Sequence, residues 1–277
     1  MNTPARIAAV AGTEFKIALR NRWVLLATVL LTLFSLALSF PGTGGGTLKA
    51  SALLMAAASI STLAVYLIPL IALLVSYDSF AGEVERGTMA LILATPVNRG
   101  ELLFGKFLGL CLVVFIAIAV GFGIAVAVTV GLYGFDVTGI EAWLRLLATA
   151  IFLGAVFVAA GMALSTAVPR TGTAAALAVG LWLVLVVLYD LALLAGLVVD
   201  EGGFFTKGLF PYFVVLNPGD AFRIFNLAGL ESATPVSGLD GLANTLPFSP
   251  VLALAAMAFW LVAMLGAGLF SARRLTP

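Results

Sequence analysis

Residues 107–132 read FLGLCLVVFIAIAVGFGIAVAVTVGL, an unbroken run without an Asp, Glu, Lys or Arg. About 20 apolar residues in helical form span the hydrocarbon of a bilayer, where only a helix or a closed barrel satisfies its own backbone. This run therefore predicts a transmembrane helix. Five further stretches have the same length and character: 23–40, 52–75, 146–168, 174–199 and 251–270, with Asp190 the one carboxylate inside them. Their boundaries carry turn residues: Pro41-Gly42 with Gly44-Gly45-Gly46, Gly134 and Gly139, Pro169-Arg170-Thr171-Gly172, and Gly202-Gly203.

Composition points the same way. Of 277 residues 62% are apolar and 10% charged, with a mean hydropathy of +1.19, where soluble domains carry roughly 25% charge. The expected fold is all-α and polytopic, one transmembrane domain over 1–277 with six transmembrane helices and short interfacial helices. A formal charge of +1 offers no field for nucleic acid. One cysteine, Cys111, excludes an internal disulfide and a thiolate cage, and the absence of histidine removes the usual general base and the commonest transition-metal ligand. No metal or cofactor site is expected in this chain.

Orientation follows from basic residues. With a cytoplasmic amino terminus, that side holds Arg6, Lys16, Arg20, Arg22, Arg86, Arg99, Lys106, Arg170, Arg273 and Arg274, leaving Lys49, Arg145, Lys207 and Arg223 outside. The positive-inside rule selects this arrangement, with both termini cytoplasmic in the cytoplasmic membrane. The first apolar stretch lacks a convincing cleavage site, so it is expected to stay as an anchor. Ahead of it, Ile7, Ala11, Phe15 and Ala18 share one helical face opposite Arg6, Thr13, Lys16 and Arg20, which predicts an interfacial helix over 1–22. The outer segment 200–247 is rich in aromatics, Phe204, Phe205, Phe210, Tyr212, Phe213, Phe222 and Phe225, and is expected to lie along the membrane surface. Within it Asn217 is placed to cap a helix beginning at Pro218, with Asp220 in its first turn. Phe222 and Phe225 are then expected to dip toward lipid or a partner, and Asn217, Asp220 and Arg223 to contact an extracytoplasmic partner.

The inner loop 76–101 concentrates acidic residues, Asp78, Glu83, Glu85 and Glu101, beside Arg86 and Arg99. Thr88 is placed to cap a short helix stopped by Pro96, with Met89, Ile92, Leu93 and Pro96 on one side as an apolar knob. Physics alone leaves two readings open: a solvated connector with topogenic charges, or a docking elbow for a cytosolic protein.

The run Gly82-Glu83-Val84-Glu85-Arg86-Gly87-Thr88, followed by Pro96, Arg99 and Gly105-Lys106-Phe107-Leu108-Gly109, resembles the cytoplasmic signature of ABC-2-type permeases. The resemblance implies that this elbow touches a separate ATPase: Glu83 and Glu85 as the acidic pair, Gly87 and Thr88 at the turn, Lys106 at the base of the next span. Gly82, Arg86, Met89, Ile92 and Arg99 complete the expected coupling surface. A narrower likeness to the NosY-type branch of that family rests on Leu19-Arg20-Asn21-Arg22-Trp23, on Pro69 to Leu74 before Asp78, and on Leu216 to Arg223 followed by Asn226-Leu227-Ala228-Gly229. That branch implies a homodimer, a cytosolic ABC ATPase holding ATP and Mg²⁺, a periplasmic beta-helical partner, and a part in copper-centre maturation of nitrous-oxide reductase. No P-loop G-x-x-x-x-G-K-[ST] occurs here, so nucleotide belongs to another chain.

Asp190 carries two readings, a functional intramembrane group or a packing contact near the outer boundary, since a charge at mid-membrane costs about 2.5–3.5 kcal/mol on insertion scales. An aspartyl protease needs two facing carboxylates, and no second span supplies one. A serine enzyme lacks its base, and a secondary carrier lacks paired broken helices beyond Pro69. A GxxxG at Gly105 and Gly109 permits close helix approach.

Overall fold

The computed structural model describes residues 2–40, 52–200, 202–228 and 249–273, and its regular elements are helical throughout. In chain order they are α1 (Thr3–Leu19), α2 (Arg22–Ser39), α3 (Ala52–Ser76), α4 (Ala81–Glu85), α5 (Met89–Leu93), α6 (Arg99–Tyr133), α7 (Val137–Ala167), α8 (Thr171–Asp200), α9 (Phe205–Leu216), α10 (Pro218–Ala228) and α11 (Val251–Ala272). Among the described residues five helices are long and apolar enough to cross a membrane: α3 running on through α4, α6, α7, α8 and α11. The sixth expected span is α2, which is short for a bilayer at 18 residues and joins α1 across a 71° bend.

Hydropathy marks the lipid-crossing part of each helix, while capping chemistry sets its ends. Helix α6 starts eight residues before the apolar run because Asn98 and Glu101 form a capping box: the Asn98 side chain accepts from Glu101 N–H at 2.8 Å, and the Glu101 carboxylate accepts from Asn98 N–H at 2.9 Å. Helix α7 likewise starts at Val137 because Asp136 accepts from Gly139 N–H at 2.8 Å.

The core forms where α3 and α7 run side by side in the same direction, with Leu53 against Gly139 at one end and Ser76 against Gly161 at the other. A Cβ on Gly161 would stand 2.0 Å from Ser76 Oγ, so this approach depends on a residue without a side chain. Ile60, Ile68, Leu110, Ile118, Phe122 and Phe157 fill the space between α3, α6 and α7. Indole N–H groups tie the bundle through backbone carbonyls, Trp143 to Leu53, Trp182 to Tyr66 and Trp260 to Leu216. Val184, Leu191, Phe259 and Val262 on α8 and α11 point outward, as a lipid-facing surface requires.

The segment after α8 departs from expectation. Instead of lying along a surface, α9 and α10 fold back into the bundle, so that Asn217 Nδ2–H donates to Leu185 O at 2.5 Å, near the middle of α8. The receiving carbonyl lies in a π-helical stretch, Leu183–Leu188, where the backbone pattern is widened. Asn217 does cap α10 as the sequence implies, accepting from Gly219 N–H at 2.9 Å. Phe222 is fully buried, not dipping toward lipid or a partner, while Phe204, Tyr212 and Phe213 on the α9 side are exposed. Residues 229–247 of the expected outer segment and the 41–46 turn lie outside the described residues.

Candidate functional site

The acidic motif folds as an elbow of two one-turn helices at the end of the bundle that also carries α1. Its first turn is anchored by the neighbouring helix: Ser165 Oγ on α7 accepts from the N–H groups of both Phe80 and Ala81 at 2.9 Å, taking the place of a local cap on α4. Gly82 lies against Asp78 and Arg86, where a Cβ would stand 1.9 Å from Asp78 Oδ1, and Gly87 turns the chain at φ +71°. The backbone itself requires glycine at Gly87, whereas a side chain at Gly82 would displace the Asp78 and Arg86 side-chain ends. Arg86 pairs with Asp78 at 3.7 Å on the surface.

The two glutamates of the motif point to different helices. Glu83 accepts from Lys106 Nζ at 2.7 Å, and the same ammonium donates to Glu14 on α1 at 2.7 Å while lying 5.4 Å from the centre of the Phe80 ring. With its three donors spread over two carboxylates and a ring face, Lys106 is satisfied at 2% exposure. Glu85 reaches the start of α8, accepting from Thr171 N–H at 2.8 Å and from the Thr171 hydroxyl. A carboxylate at a helix amino terminus completes the orphan N–H groups and meets the positive end of the dipole. Glu85→Ala is expected to speed amide exchange in the first turn of α8 and leave α7 unchanged. Equal protection of that turn in both proteins, measured by hydrogen–deuterium exchange, would show that the carboxylate does not hold it.

Of the pair expected on the docking surface, Glu83 is half-buried on Lys106, whereas Glu85 holds Thr171 while its side chain stays exposed. The expected knob is divided: Met89 is 3% exposed and Ile92 and Leu93 are half-buried, whereas Pro96 is exposed and Leu91 is presented outward at 72%, flanked by Ala90 and Ala94. Thr88 does not cap α5, since its backbone is helical and its hydroxyl donates to Glu83 O at 3.2 Å. Arg99 donates to the carbonyls of Ala272 and Arg273, closing the carboxyl end of α11. Arg6 lies 3.6 Å from Glu101.

Helix α1 is seated on α6 by the GxxxG, which serves this contact inside one chain. A Cβ on Gly105 would stand 2.6 Å from Val10, and one on Gly109 2.6 Å from the carbonyl of Ala11. The inward face of α1 matches the expected Ile7, Ala11, Phe15 and Ala18, with Val10 and Glu14 added. Between α1 and the α5 to α6 connection runs an open groove of about 520 Å³, bordered by Ala9, Val10, Ile92, Pro96, Val97 and Leu102.

A second polar constellation occupies the folded-back segment. Arg223 donates to Asp220 Oδ1 at 2.7 Å and lies 3.8 Å from Asp190 on α8. Asn226 exchanges hydrogen bonds with Thr149, and its carbonyl accepts from Arg145. The exposures of Asn217, Asp220 and Arg223 are 3%, 1% and 6%, so the trio expected to meet a partner is enclosed by its own chain. Asp190 thus has a definite role as a partner of α10. The second carboxylate that the spans lacked does come from Asp220, but the two acids converge on one guanidinium, an ion cluster and not a proteolytic pair. Among the described residues no group of three His, Cys, Asp or Glu is arranged to hold a metal.

Nearly the full length of the chain is similar in sequence to known proteins. The family profile described as ABC-2 family transporter protein matches residues 8–274. The "Probable ABC transporter permease protein NosY" of Pseudomonas aeruginosa is 38% identical over 273 residues, covering 95% of this chain and 97% of that protein. Its namesake from Stutzerimonas stutzeri is 38% identical over 271 residues, covering 96% and 98%.

Proposed function

This chain belongs to the ABC-2 family of transporter proteins as a non-catalytic, multi-pass permease subunit, and from that premise we propose that it serves copper-centre maturation of nitrous-oxide reductase, docking its ATPase on the α4–α5 elbow. The observation that carries the docking is the division of labour in the elbow. Glu83 ties it to Lys106 on α6 and Glu85 ties it to the start of α8, and its outward face offers Leu91, Ala90, Ala94 and Arg86 beside the apolar groove along α1. Such a surface suits a nucleotide-binding partner that must grip and move several helices at once.

In this reading both termini and the elbow face the cytosol, as the basic residues favour, and two copies of the permease stand side by side. ATP and Mg²⁺ stay on the partner ATPase, and a periplasmic beta-helical protein meets the opposite face. The chain transmits movement or passes a species it holds weakly, because it has no histidine and a single cysteine for a soft metal. The maturation role rests on the 38% identity to the NosY permeases together with the motif likeness.

The test is copurification of the membrane complex with the ATPase made from the same gene neighbourhood. Leu91→Asp is expected to cut retention of the ATPase about tenfold, the loss of roughly 1.4 kcal/mol at a buried contact. A cysteine replacing Arg86 is expected to resist an impermeant reagent applied outside intact cells, and its labelling would overturn the orientation. Loss of the gene is expected to leave nitrous-oxide reductase without its assembled copper centre. A normal reductase in that strain, with the ATPase still bound by the permease, would make the chain an ABC-2 permease for another cargo.

A further inference from the structure

Lys106 sits about two turns inside α6, buried, with carboxylates from two separate helices on its ammonium. Burying such a cluster is poor economy for stability alone, since a well-packed apolar group at this position usually does as well or better. What the cluster provides is a connection. Glu83 belongs to α4, which is tied to α7 through Ser165 and to α8 through Glu85, whereas Glu14 belongs to α1, clamped on α6 at Gly105 and Gly109. Lys106 is therefore the joint between the elbow on one side and the α1–α6 pair on the other.

The surroundings leave that joint room to change. A cavity of about 110 Å³ lies beside it, bordered by Glu14, Asn21, Tyr77, Asp78, Glu83 and Lys106 among others. Glu83 Oε2 is buried without a hydrogen-bond partner, so this carboxylate has a second oxygen ready to receive the ammonium in another arrangement. Two discrete arrangements of one ion cluster are what a packed protein needs to pass on a displacement.

We propose that Lys106 is the positioning residue through which movement of the α4–α5 elbow is transmitted to α1 and α6, with Glu83 as its input contact and Glu14 as its output contact. This rests on the elbow being the ATPase-docking surface. Pulled by its partner, α4 carries Glu83, the ammonium follows, and Glu14 draws α1 and the base of α6 along.

The experiment uses the complex of permease and ATPase in lipid nanodiscs, with a reporter on a cysteine at Phe135, which is exposed at the opposite end of α6. The signal is the change on trapping with ATP and vanadate, taken per assembled complex. The neutral variant Lys106→Met with Glu14→Gln and Glu83→Gln is expected to lose at least about fivefold of that change, the lower end of common coupling energies. Glu14→Gln alone keeps the Lys106–Glu83 pair and is expected to lose an intermediate share, which serves if the triple variant assembles poorly. Lys106→Arg is expected to recover most of the signal. A merely structural role would lower yield and thermal stability but leave the change per complex intact, and that result overturns the proposal. A wild-type complex that never forms, or forms without any nucleotide-dependent change, overturns the docking reading and the relay with it.

Discussion

Arg223→Met is expected to lower stability by about 3–5 kcal/mol, the range for breaking a buried ion cluster by deleting one partner. Arg223 is the only basic group in contact with Asp190 and Asp220 among the described residues, at 3.8 Å and 2.7 Å. Asp220 is 1% exposed and its Oδ2 already lacks a hydrogen-bond partner. Without the guanidinium two neighbouring carboxyl groups remain in the enclosure, and at least one of them has to hold a proton to stay there. The damage should appear first as release of α10 from α8, because Asn217 and Arg223 are its polar ties there. Denaturation of the purified protein in mixed micelles reads the loss, and protease cleavage within 202–228 reads the release. Adding Asp220→Asn to Arg223→Met is expected to restore part of the stability by removing one of the two neighbouring acids. Wild-type stability for Arg223→Met alone would mean that the cluster is solvated and not buried.

The same cluster shows where a linear reading runs out. Apolar runs of 20 or more residues announce themselves, so the spans at 52–75, 107–132, 146–168, 174–199 and 251–270 all reappear inside long helices. Helices α9 and α10 are too short to cross a membrane, and α10 carries Asp220, Arg223 and Asn226, which by composition belong in water. Their partners stand far away in sequence: Leu185 O for Asn217, Thr149 for Asn226, Asp190 for Arg223. No local pattern encodes such pairings, and a polar residue whose partner is distant looks like a surface residue.

The elbow was legible as a motif and illegible as an arrangement. Periodicity identifies which residues of α5 share a face, Met89 with Ile92 and Leu93, but not whether that face meets the bundle or the partner. Packing decides this, and the bundle claims the larger apolar face while Leu91 is left outside. In the same way the glutamates of the motif were identifiable as important, yet Lys106, Glu14 and Thr171 had to be brought beside them by the fold before their roles separated. The Asn98 and Glu101 capping box is the missed feature that sequence did contain, since a polar residue followed three positions later by Glu, at the edge of an apolar run, marks a helix start.

Gly109→Ala is expected to unseat α1 by an effect of about 1–3 kcal/mol, the usual cost of forcing atoms into a filled contact. The new Cβ would stand 2.6 Å from the Ala11 carbonyl oxygen and 2.9 Å from Glu14 Cβ. Backbone cannot rotate aside as a side chain can, so the whole of α1 has to lift. Glu14 lies three residues beyond Ala11, hence the lift also stretches its 2.7 Å bond to Lys106. Gly123 on the same helix is the natural control, because a Cβ there meets nothing within 4 Å. Gly123→Ala is expected to be neutral or mildly stabilising through helix propensity. Thermal unfolding separates the two variants, and a cysteine at Ala18, 8% exposed in the wild type, should become reactive to maleimide only with Gly109→Ala. If both glycine variants behave alike, α1 is not held by the GxxxG face of α6, and the joint at Lys106 loses the rigid partner that its output contact requires.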